Sequence, residues 1–138
     1  MTCVLCEIAA GTSPASIVYR DDTILAVMDI QPVNPGHVLV LPLRHVESIV
    51  DLDRETARRA WETALKAQRA LKASALRTDG VNLLVADGEA AGQEVLHAHL
   101  HVFPRNSGDS FRLEYDWSTQ PPRAELDAAA EQIRSVWA

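Results

Sequence analysis

The stretch of the sequence that is most informative about the fold, residues 92–105, reads GQEVLHAHLHVFPR. Apolar and polar residues alternate within it, which predicts a β-strand over residues 95–103 because successive side chains of a strand point to opposite faces. His97, His99 and His101 then share one face, with neighbouring Cα atoms about 6.6 to 7 Å apart. The intervening residues are expected to point into the core: Ala98, Leu100 and Val102. Pro104 is expected to end the strand.

Four further strands are predicted along the chain. Each is a short apolar run bounded by turn-forming residues, and they cover residues 16–19, 23–29, 37–41 and 81–86. The stretch QPVNPG at 31–36 is expected to be a loop, because its prolines lack amide donors and its glycine can adopt a positive φ.

The helices frame these strands. Asp53 is expected to cap a long helix that continues to about Leu76, because apolar residues recur there every three or four positions. A short helical turn at 7–10 is expected to end at Gly11, and a last helix follows Pro121-Pro122. This order of elements predicts an α+β fold with a mainly antiparallel sheet, one long helix and a short C-terminal helix.

Length and charge narrow the class of protein. With 138 residues and a net charge of -6, the chain fits one domain, residues 1–138. Its basic residues are scattered, which argues against nucleic acid as a partner. It has no apolar run of the roughly 20 residues that a membrane helix needs, so no membrane partner is expected. Without a secretory signal at the N-terminus, we expect a cytoplasmic protein.

Cys3 and Cys6 form a Cys-x-x-Cys pair. A structural disulfide is not expected in a reducing cytosol, so the pair is either a redox motif or half of a zinc site. Redox pairs usually follow a strand, and no strand precedes this pair, which favours zinc.

The histidine run itself permits three interpretations. The imidazoles could be solvated side chains on a polar strand face, or they could share an open zinc ion that activates water. They could also supply one nucleophilic histidine and others that assist it, because imidazole near neutral pH is both a good nucleophile toward phosphorus and a good acid or base.

Residues 92–105 resemble the signature of the histidine-triad (HIT) family, in which alternating histidines follow Gly-Gln and precede Pro-Arg. Four upstream pieces resemble the same family in the same order: Pro14-Ala15, residues 19–22, Asp29-Ile30 and residues 35–42. The resemblance extends from Cys3 to about Arg105.

This resemblance implies a nucleotide-binding hydrolase or transferase, usually a homodimer, that acts on nucleoside 5′-phosphate adducts such as phosphoramidates or dinucleoside polyphosphates. His99 would attack the α-phosphorus and form a nucleotidyl-histidine, from which water releases the nucleoside monophosphate. His101 would bind phosphoryl oxygens and assist the leaving group. Gln93 and the neighbouring backbone would donate to the charge on phosphorus, and His97 completes the expected catalytic set.

The family also implies a nucleotide pocket, usually for adenosine. Asp29 matches the position whose carboxylate binds the ribose hydroxyls, and His37 matches an upstream histidine near the phosphate. The full set expected at the nucleotide is Leu5, Ile8, Val27, Asp29, Ile30, His37, Glu94 and Val95.

Some family members carry an N-terminal Cys-x-x-Cys that binds zinc with two histidines. The matching residues here are Cys3, Cys6, His45 and His97. Such a closed Cys₂His₂ site would be structural.

Two positions depart from the family pattern. Ala86 stands where an amide side chain is frequent, and Glu94 stands where a hydroxyl is usual. Because an ionised Glu accepts hydrogen bonds and repels anions, we hypothesise that polyphosphate leaving groups are disfavoured and amine leaving groups preferred. Strand parity would turn Glu94 away from Gln93 and His97, so Glu94 reaches the site only if the chain bends there.

Two alternatives to the hydrolase remain open. A nucleotide-binding regulator with little turnover would use nearly the same groups. A zinc hydrolase with the triad on an open metal ion would lose its activity to a chelator.

Overall fold

The computed structural model describes residues 2–138. Its helices are α1 (Val4–Ala10), α2 (Arg54–Ala73) and α3 (Arg123–Ser135). Its strands are β1 (Ile17–Arg20), β2 (Ile24–Met28), β3 (Val38–Pro42), β4 (Gly80–Leu84) and β5 (Leu100–Arg105). Two short 3₁₀ turns lie at Ile49–Asp51 and Glu89–Ala91.

The five strands form one antiparallel sheet in the order β1-β2-β3-β5-β4. This arrangement confirms the predicted α+β fold. The pairing of β3 with β5 positions the site, because it sets Leu39 opposite His101 and Val38 opposite Val102. The histidine that precedes β3 therefore lies beside the last histidine of the triad.

One face of the sheet packs against α2. The Asp53 side chain accepts a hydrogen bond from the Thr56 amide and caps this helix, as predicted. The helix ends at Ala73, three residues before the predicted end. The residues that form this core are Ile24, Ala26, Val38, Val40, Ala60, Ala64, Ala67, Leu71, Leu100 and Val102.

The opposite face of the sheet is covered by α1. Leu25 and Val27 alternate with the residues of β2 that face α2, and they pack with Leu5, Ala9 and Leu41. The helix begins at Val4, earlier than predicted, and ends at Gly11 with a left-handed φ of 76°. Cys3 is thus its N-cap residue and Cys6 lies in its first turn.

The predicted strand over residues 95–103 is wrong in its first half, because β5 begins only at Leu100. The His97 amide donates to the Val95 carbonyl at 2.8 Å, and the Ala98 amide donates to the Val46 carbonyl at 2.6 Å. These bonds bend the chain before the strand begins, so His97 does not share a strand face with His99 and His101. Pro104 does not end the strand either, since it lies opposite Val81 within β5.

The C-terminal helix α3 is largely exposed, with Leu126 at 43% and Ile133 at 57% of their maximal exposure. Among the described residues, no helix combines the length and the apolar character needed to cross a membrane.

Candidate active site

A cleft of about 700 Å³ opens on the face of the sheet that carries α1. It is bordered by α1, by the ends of β2 and β3, and by the bent segment before β5. All eight residues expected at the nucleotide line this cleft, together with His99 and His101: Leu5, Ile8, Val27, Asp29, Ile30, His37, Glu94 and Val95.

His99 is held in one orientation and one tautomer. Its Nδ1–H donates to the backbone carbonyl oxygen of His97 at 2.6 Å. A neutral imidazole carries one N–H, so Nε2 of His99 bears a lone pair. The residue is 8% exposed and lines the cleft, and Nε2 has no hydrogen-bond partner within the described chain. This nitrogen is therefore available to an electrophile in the cleft.

His37 and His101 form a hydrogen-bonded pair with assignable tautomers. The Val33 amide donates to Nδ1 of His37 at 3.0 Å, so the proton of neutral His37 is on Nε2. That Nε2–H donates to Nδ1 of His101 at 2.9 Å. The proton of neutral His101 is consequently on its own Nε2, where His101 can donate to a ligand.

Burial keeps this pair neutral at pH 7. Burial, reinforced by repulsion from His99 and His37, lowers the pKa of His101 to about 4. Burial also lowers the pKa of His37, although the Asp29 carboxylate, whose Oδ2 lies 3.5 Å from Nε2 of His37, acts in the opposite direction. The pair is thus a neutral donor chain.

Asp29, His37 and His101 are close enough to hold a metal ion, since their ligand atoms lie within 4.8 Å of one another. The tautomers argue against that use. The Val33 amide occupies the Nδ1 lone pair of His37, so its Nε2 carries a proton and cannot coordinate a cation. The cluster is a hydrogen-bond chain.

The Gln93 side chain, which was expected to donate to the charge on phosphorus, forms its hydrogen bonds within the chain. Its Oε1 accepts from the Gly88 amide at 2.7 Å, and its Nε2 donates to the carbonyls of Glu47 at 2.8 Å and Val95 at 3.2 Å. The side chain is 8% exposed and lies outside the cleft lining. Gln93 therefore fastens the loops around the cleft to one another.

His97 also lies outside the cleft lining. Its side chain is fully buried beside Cys3, Cys6 and His45. Its Nε2–H donates to the Pro42 carbonyl at 2.8 Å, which leaves a lone pair on Nδ1. Burial lowers the pKa of His97, so this lone pair is retained at neutral pH. The His97 imidazole thus lies with the candidate metal ligands, and His97 contacts the proposed nucleophile through its backbone carbonyl.

The predicted metal ligands come together as a candidate metal site. Nδ1 of His97 lies 3.5 Å from Sγ of both Cys3 and Cys6, and Nδ1 of His45 lies 3.3 Å from Sγ of Cys6. All four ligand atoms are within 4.8 Å of one another. Tetrahedral zinc with Zn–S near 2.3 Å and Zn–N near 2.0 Å requires sulfur–nitrogen separations of about 3.5 Å. The residues fit zinc in a closed site.

The open-metal alternative does not agree with this arrangement. His99 belongs to neither cluster of potential ligands among the described residues, and the triad is divided between the Cys–His cluster and the cleft.

Glu94 reaches the cleft because the chain bends at this point, whereas Ala86 is not among the lining residues. Several lining residues were missed by sequence reasoning: Val4, Ser13, Met28, Gln31 and Leu39. Leu39 lies opposite both Val27 and His101 in the sheet, so strand register was the signal that could have identified it.

Comparison with known proteins gives a consistent family match. Residues 10–108 match the HIT domain family model. A crystal structure of a member of the HIT family from Bacillus subtilis superposes with a TM-score of 0.89 at 34% identity, covering 100% of this chain and 99% of that one.

Two further relatives bear on chemistry. A Zn-bound histidine triad family protein from Mycobacterium smegmatis superposes with a TM-score of 0.76 at 39% identity, covering 98% of this chain and 97% of that one. An Arabidopsis thaliana protein named adenylylsulfatase HINT3 is 33% identical over 137 residues, covering 96% of this chain and 66% of its own length.

Proposed function

Because this chain belongs to the HIT family, we propose that it hydrolyses nucleoside 5′-phosphate adducts, or transfers their nucleotidyl group, through a nucleotidyl-histidine intermediate on His99. The observation that carries the proposal is the 2.6 Å bond from Nδ1 of His99 to the His97 carbonyl, which in the neutral imidazole places the lone pair on Nε2, in the cleft. An activated, oriented nucleophile of this kind is what covalent catalysis at phosphorus requires.

The reaction takes two steps. Nε2 of His99 forms a bond to the α-phosphorus while the bond from phosphorus to the leaving group breaks, and the leaving group takes up a proton. Water then attacks the same phosphorus, which releases the nucleoside monophosphate, a proton and free His99. The Nε2–H of His101, oriented by His37, donates to the phosphoryl oxygens as negative charge develops.

The nucleoside occupies the apolar part of the cleft. Leu5, Ile8 and Val27 supply a surface for the base. The Asp29 Oδ1 atom accepts from the Gln31 amide at 2.8 Å, which orients the carboxylate and leaves it able to accept from ribose hydroxyls. The relative named adenylylsulfatase supports an adenosine-type substrate.

Zn²⁺ is the metal that the Cys₂His₂ cluster suits. Cys3, Cys6, His45 and His97 would hold it, and a closed set of four protein ligands supplies structural support without an open position for water. The Zn-bound mycobacterial relative supports this assignment.

Two chains are proposed to form a homodimer through α2 and β4. β4 is an edge strand, paired with β5 on one side only. Trp61 of α2 is 51% exposed, and aromatic residues are enriched at protein interfaces. Sedimentation equilibrium is expected to give the mass of two chains, with Trp61→Glu shifted toward one chain. A monomeric wild type at micromolar concentration contradicts the proposal.

The activity is tested by measuring AMP release from adenosine 5′-phosphoramidate and diadenosine tetraphosphate, side by side. Wild type is expected to release AMP from at least one of them, while His99→Ala releases none above background. If wild type binds AMP and leaves both substrates intact, the protein is a nucleotide-binding regulator and the hydrolase proposal fails.

A further inference from the structure

The charged groups around the cleft have one sign. Its lining contains the carboxylates of Asp29 and Glu94 and, among the described residues, no lysine or arginine. The imidazoles of His37 and His101 do not compensate, because burial lowers the pKa of both. The cleft has hydrogen-bond donors for one phosphate. Among the described residues that line it, there is no lysine or arginine to bind a second phosphate.

The two carboxylates occupy different positions in the site. Asp29 is bound to the Gln31 amide and lies beside the His37–His101 pair. Glu94 is exposed and forms no ion pair with any residue in the part of the chain that the structure describes. Its carboxylate is therefore available to a ligand.

Glu94 also borders a second groove, of about 490 Å³, which continues from the cleft. This groove is lined by Glu47 and His45 as well, and residues 2–138 again contribute no lysine or arginine to it. Nε2 of Gln93 donates to the Glu47 carbonyl at 2.8 Å, which ties the loop of Glu47 to the segment that carries Glu94. The groove that leads out of the cleft is thus lined by two glutamates, Glu94 and Glu47.

Resting on the proposed function, we propose that Glu94, assisted by Glu47, determines the specificity for the leaving group and selects one that carries a positive charge. His99 also indicates that a ligand binds here, because it is 8% exposed and its Nε2, without a partner among the described residues, faces the same cleft. A leaving group attached to the phosphorus near His99 can extend past Glu94 into the groove.

The substrate class that follows is a nucleoside phosphoramidate whose amine bears a second, distal ammonium group. The bond from Nε2 of His99 to phosphorus forms as the P–N bond breaks, and the leaving nitrogen takes up one proton from solvent. Water then cleaves the histidine–phosphorus bond and returns that proton. The distal ammonium stays charged throughout. It is attracted to the Glu94 carboxylate and takes no part in the bonds that form and break.

The test uses three adenosine 5′-phosphoramidates of equal chain length. Their amines end in an ammonium, a methyl or a carboxylate group, and kcat/KM is measured for each with wild type, Glu94→Gln and Glu47→Gln. An exposed ion pair corresponds to about a two- to fivefold effect. Because Glu94 attracts one substrate and repels another, the ratio of ammonium to carboxylate substrate is expected to fall about tenfold in Glu94→Gln, with a smaller fall in Glu47→Gln.

Glu62→Gln is the matched control. It removes the same charge from α2, on the opposite side of the sheet, and is expected to leave the ratio at its wild-type value. In wild type the ratio is also expected to fall as salt rises, because exposed charges are screened. The salt series uses wild type alone, so its result does not depend on whether a variant folds.

A wild-type ratio near one, or a ratio that Glu94→Gln leaves unchanged while the methyl substrate is turned over, overturns the role of Glu94 and leaves the proposed function standing. Failure of wild type to hydrolyse even the methyl substrate, with AMP still bound, overturns the proposed function for this class and the inference with it.

Discussion

The Nδ1–H group of His99 donates to the backbone carbonyl of His97, the residue whose own side chain completes the Cys–His cluster. The same residue therefore orients the proposed nucleophile through its backbone and anchors the N-terminal helix through its imidazole. The Cys–His cluster and the proposed nucleophile are thus linked through one residue, His97.

Metal removal is expected to lower stability more than chemistry. We expect one zinc ion per chain by elemental analysis. A chelator, or the double variant Cys3→Ser/Cys6→Ser, should lower Tm by roughly 6 to 8 °C, as a loss of about 2 kcal/mol does in a chain of this size. AMP release by the protein that remains folded at low temperature should stay within about threefold of wild type. Abolished turnover at an unchanged Tm would instead place the metal at the reacting centre.

Acid is expected to destabilise the fold through His101. The pKa of His101 is about 4 in the folded protein, below its ordinary value of 6.5, so the unfolded chain binds a proton first as the pH falls. The contribution of neutral His101 to the free energy of unfolding is therefore fully present above pH 6.5 and is lost progressively as the pH falls toward 4. Between pH 7 and pH 5 this amounts to about 2 kcal/mol. This loss is measured by urea unfolding of wild type and His101→Gln at pH 7 and pH 5. If the free energy of unfolding falls as much in the variant as in wild type, His101 is not its cause.

His37 is expected to act through His101 as a positioning residue. A glutamine at this position can present an amide N–H where Nε2–H of His37 now donates, while a methionine cannot. His37→Gln should keep kcat within about fivefold of wild type, and His37→Met should lose about 10- to 100-fold. Steady-state AMP release with matched Tm values decides this, and equal losses in the two variants would show that the donated hydrogen bond is not what matters.

Gly36 is expected to be intolerant of a side chain. Its φ is +107°, and a Cβ placed there would lie 2.8 Å from Cδ2 of Leu71. Gly36→Ala should lower the free energy of unfolding by about 2 to 3 kcal/mol. Gly80→Ala is the control, since no atom of the described residues lies within 4 Å of the point that its Cβ would occupy. Chemical denaturation compares the two, and equal midpoints would contradict the steric account.

The features that were predictable from sequence are those with local causes. Asp53 caps α2 because its side chain reaches an amide three residues on, and Gly11 ends α1 because the position needs a positive φ. The residues that surround the cleft also followed from the family pattern, because Asp29 and His37 flank one loop and His99 and His101 flank the start of β5.

The features that were not predictable depend on distant backbone groups. The bend before β5 results from the Ala98 amide bonding to the Val46 carbonyl, which no local pattern encodes. The tautomers depend on the Val33 amide and on the carbonyls of Pro42 and His97. The hydrogen bonds of Gln93 depend in the same way on backbone groups from separate loops.

Nε2 of His99 is proposed to become bonded to the nucleotide during turnover. Rapid acid-free quenching of wild type mixed with adenosine 5′-phosphoramidate, followed by intact-mass analysis and peptide mapping, tests it directly. A transient mass increase of one adenylyl group is expected, located on His99 and absent from His99→Ala. Steady AMP release with no such adduct at any reaction time, or with the adduct on another residue, would contradict it.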